Sequence, residues 1–181
     1  MNLPNILTFS RIVMIPAFVL VFFLPFQWSY MASAIIFALA AVTDWLDGYL
    51  ARKLDQSTPL GAFLDPVADK LMVAVALTVL IHDYGSLLLT VPAIVIIGRE
   101  IVISALREWM AEMGKRASVA VSFIGKIKTG CQMVAIVLLL GYPQGEPIAT
   151  LGLVVLAVAA LLTLWSMCVY MNAARLELSD D

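Results

Sequence analysis

Six apolar runs, each close to the ~20 residues that carry a helix across the hydrocarbon core of a bilayer, limit what this chain can become. They cover approximately residues 6–26, 31–50, 61–81, 87–106, 121–141 and 149–170. The breaks between them carry turn chemistry, as in Leu24-Pro25-Phe26-Gln27, His82-Asp83-Tyr84-Gly85 and Gly141-Tyr142-Pro143-Gln144-Gly145. Trp28, Tyr30, Tyr84 and Tyr142 fall near the expected ends of the runs, as an aromatic belt does. The chain is 62% hydrophobic and 13% charged, with a mean hydropathy of +0.99, against about 25% charged residues in soluble domains. A water-soluble core of 181 residues cannot hide that much apolar surface, so lipid must cover most of it. The expected fold is all-α, a polytopic membrane bundle of six transmembrane helices, with residues 1–181 forming one domain.

The basic residues set the expected orientation. All eleven (Arg11, Arg52, Lys53, Lys70, Arg99, Arg107, Lys115, Arg116, Lys126, Lys128 and Arg175) lie near the N-terminus, the second-to-third connection, the fourth-to-fifth connection or the C-terminus. The other three connections hold no Lys or Arg. By the positive-inside rule both termini and the two basic connections are cytoplasmic, which requires an even number of spans. Pro4 to Arg11 is compatible with a short interfacial helix before the first crossing. Ala32-Ser33-Ala34 resembles a signal-peptidase site, but residues 2–10 carry no charge and the preceding run is long enough to span, so it reads as ordinary small residues. A net charge of −2 gives no global support for a nucleic-acid partner. Cys131 and Cys168 sit in apolar runs without CxxC spacing and read as buried reduced thiols.

Four aspartates flank the connection between the second and third runs. Asp44 and Asp47 are i and i+3, while Gly61, Asp65 and Asp69 are spaced by four, so two adjoining helices can turn four carboxylates towards each other. An aspartate at the centre of a bilayer costs about 2.5–3.5 kcal/mol on an insertion scale. Four like charges must therefore face a wet cavity and be neutralised by cations. Carboxylate oxygens without nearby His or Cys suit Mg²⁺ or Mn²⁺, and four of them suffice for two ions about 3.5–4 Å apart, the clamp used for displacement at phosphorus. Arg52 offers a fork to a phosphate, and small residues at Gly48, Ala51 and Gly61 keep the wall thin beside a bulky diphosphate. Asp44 and Asp47 also fit a helix-end ion-pair set with Arg52 and Lys53, Asp65 fits a helix N-terminal charge, and intramembrane carboxylates also mark cation transporters.

Thiol and histidine chemistry find little support here. The lone histidine, His82, is expected on the opposite membrane face and both cysteines lie away from the aspartates, so no covalent nucleophile is positioned and direct displacement is expected. The cationic residues of the cytoplasmic half that could meet a further anion are Arg99, Arg107, Lys126 and Lys128. Arg99 lies deepest in its run, and Glu100 is not its expected partner because adjacent helical residues point apart. Lys126 shares a helix face with Thr129 and is the first choice over Lys128. Lys70 is expected to snorkel to the headgroups.

The segment from Asp44 to Asp69 reads DxxDGxxARx₈GxxxDxxxD and resembles, with no departure at a fixed position, the signature of the CDP-alcohol phosphatidyltransferase family. The resemblance extends over nearly the whole chain. It includes Asn2 to Thr8, Arg11 and Pro16, then Gly98-Arg99-Glu100, Arg107-Glu108 and Gly125 to Thr129, which are similar to bacterial members that use glycerol 3-phosphate. The resemblance implies transfer of the phosphatidyl group of CDP-diacylglycerol to sn-glycerol 3-phosphate, with release of CMP, at the cytoplasmic face of a bacterial inner membrane. Asp44, Asp47 and Asp65 would hold metal on the diphosphate, and Asp69 would bind the second ion and act as general base. Gly48, Ala51, Arg52 and Gly61 would line the CDP site, and a homodimer is implied. The alternatives are another acceptor, serine or an inositol phosphate, or a cation transporter.

Overall fold

The computed structural model describes residues 3–54, 59–114 and 123–179. Within these, the side chains of residues 3–7, 45, 47–54, 59–60, 62, 123–124, 126 and 176–179 lie outside the description. The described residues form six helices and no strand: α1 (Leu3–Phe22), α2 (Ser29–Leu54), α3 (Pro59–Tyr84), α4 (Leu87–Glu112), α5 (Phe123–Gly141) and α6 (Pro147–Ser179). The described part of each apolar run falls on one helix, except that residues 23–26 of the first run lie beyond α1, and most helices outrun the apolar stretch, because the polar ends continue the same backbone hydrogen-bonding past the hydrophobic boundary. α1 runs as one continuous helix from Leu3 to Phe22 and takes in Pro4 to Arg11.

Local chemistry explains the ends. Pro59 and Pro147 open α3 and α6, positions where a missing N–H costs nothing. Ser86 caps α4, its hydroxyl accepting from the Leu88 N–H at 3.3 Å. Between α3 and α4 the chain reverses through Gly85 at φ +53°, a left-handed conformation that favours glycine.

α5 packs most extensively on α6 and α1 on α2, and further contacts of α6 with α4, of α2 with α5 and of α1 with α3 close the bundle. Phe18, Phe37, Leu77, Leu80, Leu89, Ile96, Ile136, Leu139 and Leu156 fill the interior. Outward-facing residues are apolar too: Leu20, Ile101 and Leu161 are 72%, 65% and 67% exposed, a distribution that matches lipid as the surrounding solvent. α4, and α6 over Pro147–Arg175, are long and apolar enough to cross a membrane. Cys131 is half-buried and Cys168 is exposed on α6, which corrects the expectation of two buried thiols. Cys168 lies in an apolar run, but on the helix face that looks away from the bundle.

The α5–α6 seam depends on a close approach. A Cβ on Gly152 would stand 2.9 Å from Leu139 Cγ and 3.2 Å from Leu138 Cβ. Gly152→Val is expected to cost about 1–3 kcal/mol through overpacking, well above the few tenths regained in helix propensity. Thermal unfolding in detergent should fall by roughly 3–8 °C; an unchanged midpoint would show that the seam relaxes freely.

Aromatic residues close the bundle end away from the aspartates. Phe22 meets Tyr30 edge-on at 5.4 Å, Phe23 meets His82 at 5.6 Å, and the Tyr30 hydroxyl donates to Asp83 at 3.3 Å.

Candidate active site

The opposite end, where α1 and α3 begin and α2 finishes, gathers the charges. Thr8 and Arg11 are one turn apart on α1, Asp65 and Asp69 one turn apart on α3, and both helices run away from this end, so the two pairs fall into register. Thr8 Oγ1 donates to Asp65 Oδ1 at 2.5 Å, and the Arg11 guanidinium donates to Asp69 Oδ1. The same Arg11 nitrogen, Nη1, lies 2.8 Å from Asp44 Oδ1 on α2. Arg11 is 1% exposed, whereas the Asp44 and Asp69 side chains remain 36% and 39% accessible. The cation is thus sealed behind the carboxylates and the carboxylates face the open side.

Sequence reasoning gave Thr8 and Arg11 no role. The available signal was a positive charge just inside an apolar run, which demands a partner, with a hydroxyl three residues before it on the same face. What the run could not disclose was that the partners lie 57 and 58 residues away.

Of the expected site residues, the structure brings Asp44 and Asp69 together on Arg11 and holds Asp65 one turn from Asp69. Gly61 is buried one turn before Asp65. Asp47, Gly48, Ala51 and Arg52 lie on α2, but their side-chain positions fall outside the described residues. Among the described residues no three ligating side chains assemble into a metal-binding group. Asp44 and Asp69 nonetheless converge on one positive centre, and an oxygen-only pair that already does so fits a hard divalent ion. His82 is at the far end of α3, roughly 25 Å along the helix from Asp65.

Beside the carboxylates lies a cavity of about 130 Å³, lined by Asp44, Asp69, Lys70, Glu100, Lys128 and Gln132 among others. Lys128 is buried, and its Nζ is 3.0 Å from Glu100 Oε1. Arg99 Nη1 is 2.8 Å from the same oxygen. This corrects the expectation that Glu100 is not the partner of Arg99. Adjacent Cβ atoms do diverge, but the long guanidinium side chain bends back to a carboxylate that Lys128 also holds. Arg99 Nε is buried and has no hydrogen-bond partner among the described residues, which leaves a donor over. Arg107 stands apart from the cavity lining: its Nε donates to the Tyr170 hydroxyl at 3.1 Å and its guanidinium lies 5.2 Å from the Tyr170 ring centroid. Lys126, preferred from the sequence, has its side chain outside the described residues, and the Thr129 hydroxyl that was to share its face donates instead to the Gly125 carbonyl at 3.0 Å. Lys70 is exposed and also borders this cavity.

A second cavity of about 420 Å³ lies between α3 and α4, walled by Val67, Leu71, Ala74, Ile97 and Ile101, and it shares Lys70, Val73 and Glu100 with the first. A smaller, more polar chamber and a larger apolar one therefore adjoin at Lys70, Val73 and Glu100.

Carboxylates set to carry positive charge, spare cationic donors and adjoining polar and apolar chambers are the furniture of an enzyme that joins a lipid to a soluble molecule through phosphate. The chain belongs to the CDP-alcohol phosphatidyltransferase family, whose model matches residues 1–169. It is a phosphatidyl-transferring enzyme and a membrane protein, which removes the cation-transporter alternative. At the level of particular proteins, it is 57% identical over 180 residues to the CDP-diacylglycerol–glycerol-3-phosphate 3-phosphatidyltransferase of Escherichia coli (strain K12). It is 57% and 56% identical, over the same length, to the proteins of that name from Shigella flexneri and Salmonella typhimurium. Each alignment covers 99% of this chain and 98% of the relative.

Proposed function

We propose that the protein transfers the phosphatidyl group of CDP-diacylglycerol to sn-glycerol 3-phosphate, giving phosphatidylglycerophosphate and CMP. The observation that carries this reading is the full-length identity of 56–57% to relatives named for that reaction. The small cavity, with Lys128 buried on it and Arg99 behind Glu100, supports an acceptor that is compact and anionic. Serine brings no phosphate for those cations, and an inositol phosphate is far bulkier.

Asp44, Asp47, Asp65 and Asp69 are the proposed ligands of two divalent ions, Mg²⁺ or Mn²⁺, which when bound would offset the diphosphate charge and stabilise the departing CMP. The chain's own residues do the rest. Asp69 accepts the proton of the acceptor's 1-hydroxyl as its oxygen bonds to the phosphatidyl phosphorus and the bond to CMP breaks. Arg11, bound to Asp69 Oδ1 and 2.8 Å from Asp44 Oδ1, fixes both carboxylates for that role. Gly48, Ala51, Arg52 and Gly61 accommodate CDP; Lys128 and Arg99, with Arg107 and Lys126, draw in the acceptor phosphate. The apolar chamber beside the polar one lets the diacyl part stay in lipid while glycerol 3-phosphate arrives from water.

The protein is proposed to be one domain of six spans over residues 1–181, with both termini and the site on the cytoplasmic side of the inner membrane, working as a homodimer. The six helices and the gathering of Arg11, Arg99, Arg107 and Lys128 towards one end support that orientation.

The test is CMP release from CDP-diacylglycerol by purified protein with Mg²⁺, offered glycerol 3-phosphate, serine or inositol 1-phosphate in turn. Turnover with glycerol 3-phosphate alone is expected. Preference for either of the others would keep the family and overturn the acceptor.

A further inference from the structure

The polar cavity is lined by an uncharged amide, Gln132, beside its charged groups. Gln132 lies one turn beyond Lys128 on α5, so both look the same way. It is only 4% exposed, it lines the cavity, and its amide makes no hydrogen bond to any described residue. Neither amide atom is among the fully enclosed, unpartnered atoms of the bundle, so both amide atoms keep some accessible surface on a residue that lines the cavity. A buried amide is retained at a cost unless something completes it.

The chemistry of the walls says what that something is. Asp44 and Asp69 serve cations and the reacting hydroxyl; Lys128 serves an anion. An uncharged amide can offer its oxygen to a cation or its NH₂ to a phosphate, but only a partner such as an alcohol, which both donates and accepts, uses the two together. We infer that Gln132 reads the non-reacting 2-hydroxyl of the acceptor, making it the residue that selects a vicinal polyol phosphate over a phosphate lacking that hydroxyl. This rests on the proposed reaction and adds to it a specificity determinant on α5. Its position suits that role, because Lys128, proposed for the phosphate, and Asp69, proposed for the 1-hydroxyl, line the same cavity of about 130 Å³ as Gln132.

The experiment measures kcat/KM for glycerol 3-phosphate and for 3-hydroxypropyl phosphate, which lacks the 2-hydroxyl, in the wild type and in Gln132→Leu. The wild type is expected to favour glycerol 3-phosphate by about 10- to 100-fold, since a site built to bond a hydroxyl rejects the analogue without it. Gln132→Leu should lose most of that factor on glycerol 3-phosphate, change by less than about 3-fold on the deoxy acceptor and keep its KM for CDP-diacylglycerol. Equal losses on both acceptors, or none on either, would overturn the inference while leaving the reaction standing. The wild type provides a check that needs no variant: equal use of the two acceptors also overturns it. Failure of the wild type to turn over glycerol 3-phosphate at all would remove the proposed reaction and this inference together.

Discussion

Asp69→Asn is expected to lower CMP release by about 10³-fold, within the range that loss of a general base produces, with the melting profile little changed. Asparagine keeps the size of the side chain and an oxygen for Arg11, while Arg11 retains Asp44, so the helix contacts survive. What disappears is the negative charge and the ability to take a proton. If Asp69 is the base, the loss falls on kcat, because the acceptor phosphate is held by other groups and its KM should move by less than about 3-fold. The check is steady-state kinetics in both substrates beside a thermal melt. Retention of activity to within tenfold would remove Asp69 from proton transfer and leave it a structural partner of Arg11.

The second large effect is expected from Arg11→Met. This substitution keeps the apolar stem and deletes a guanidinium that is 1% exposed and shared by two carboxylates. Removing one partner of a buried ion pair costs about 3–5 kcal/mol. Here the carboxylates are more than a third accessible, so water recovers part of that and the lower end applies. In EDTA the variant should melt roughly 5–10 °C below the wild type. Added Mg²⁺ should then raise its melting point by more than it raises the wild type's, because an ion that binds the folded state supplies the missing positive charge. Turnover should fall with it, as Asp44 and Asp69 lose the group that orients them. Arg11→Lys should recover only part of the stability, since one ammonium cannot reproduce a planar fork. Identical melts for Arg11→Met and the wild type in EDTA would show that the ion pairs contribute nothing to the fold.

The two substitutions act on one cluster and are not additive. With Asp69 already neutral, Arg11 serves one charge and not two, so the double variant should lose less than the sum. That coupling separates a shared network from two independent residues.

Helix formation, the carboxylate stripes and the family signature were all legible in the residues, because each is a property of short-range spacing. A run of about 20 apolar residues can satisfy its backbone in lipid only as a helix, and offsets of three and four place Asp44 with Asp47, and Asp65 with Asp69, on common faces. The same reasoning failed where side-chain length overrode backbone direction, as when Arg99 bent back to Glu100. Spacing to Thr129 puts Lys126 ahead of Lys128; Lys128 is buried on the cavity, and the Lys126 side chain lies outside the described residues.

Only the tertiary structure decided which helix faces which. Periodicity gives every helix a polar stripe but no address, and the address comes from how α1 packs on both α2 and α3. That packing delivers Thr8 to Asp65 and Arg11 to Asp69 and Asp44, while the packing of α5 on α2 and α3 brings Lys128 and Gln132 to the same cavity. The sequence by itself determined that four aspartates would need positive charge; the fold determined that part of that charge is built in, because a buried guanidinium is stable only where packing brings carboxylates to it.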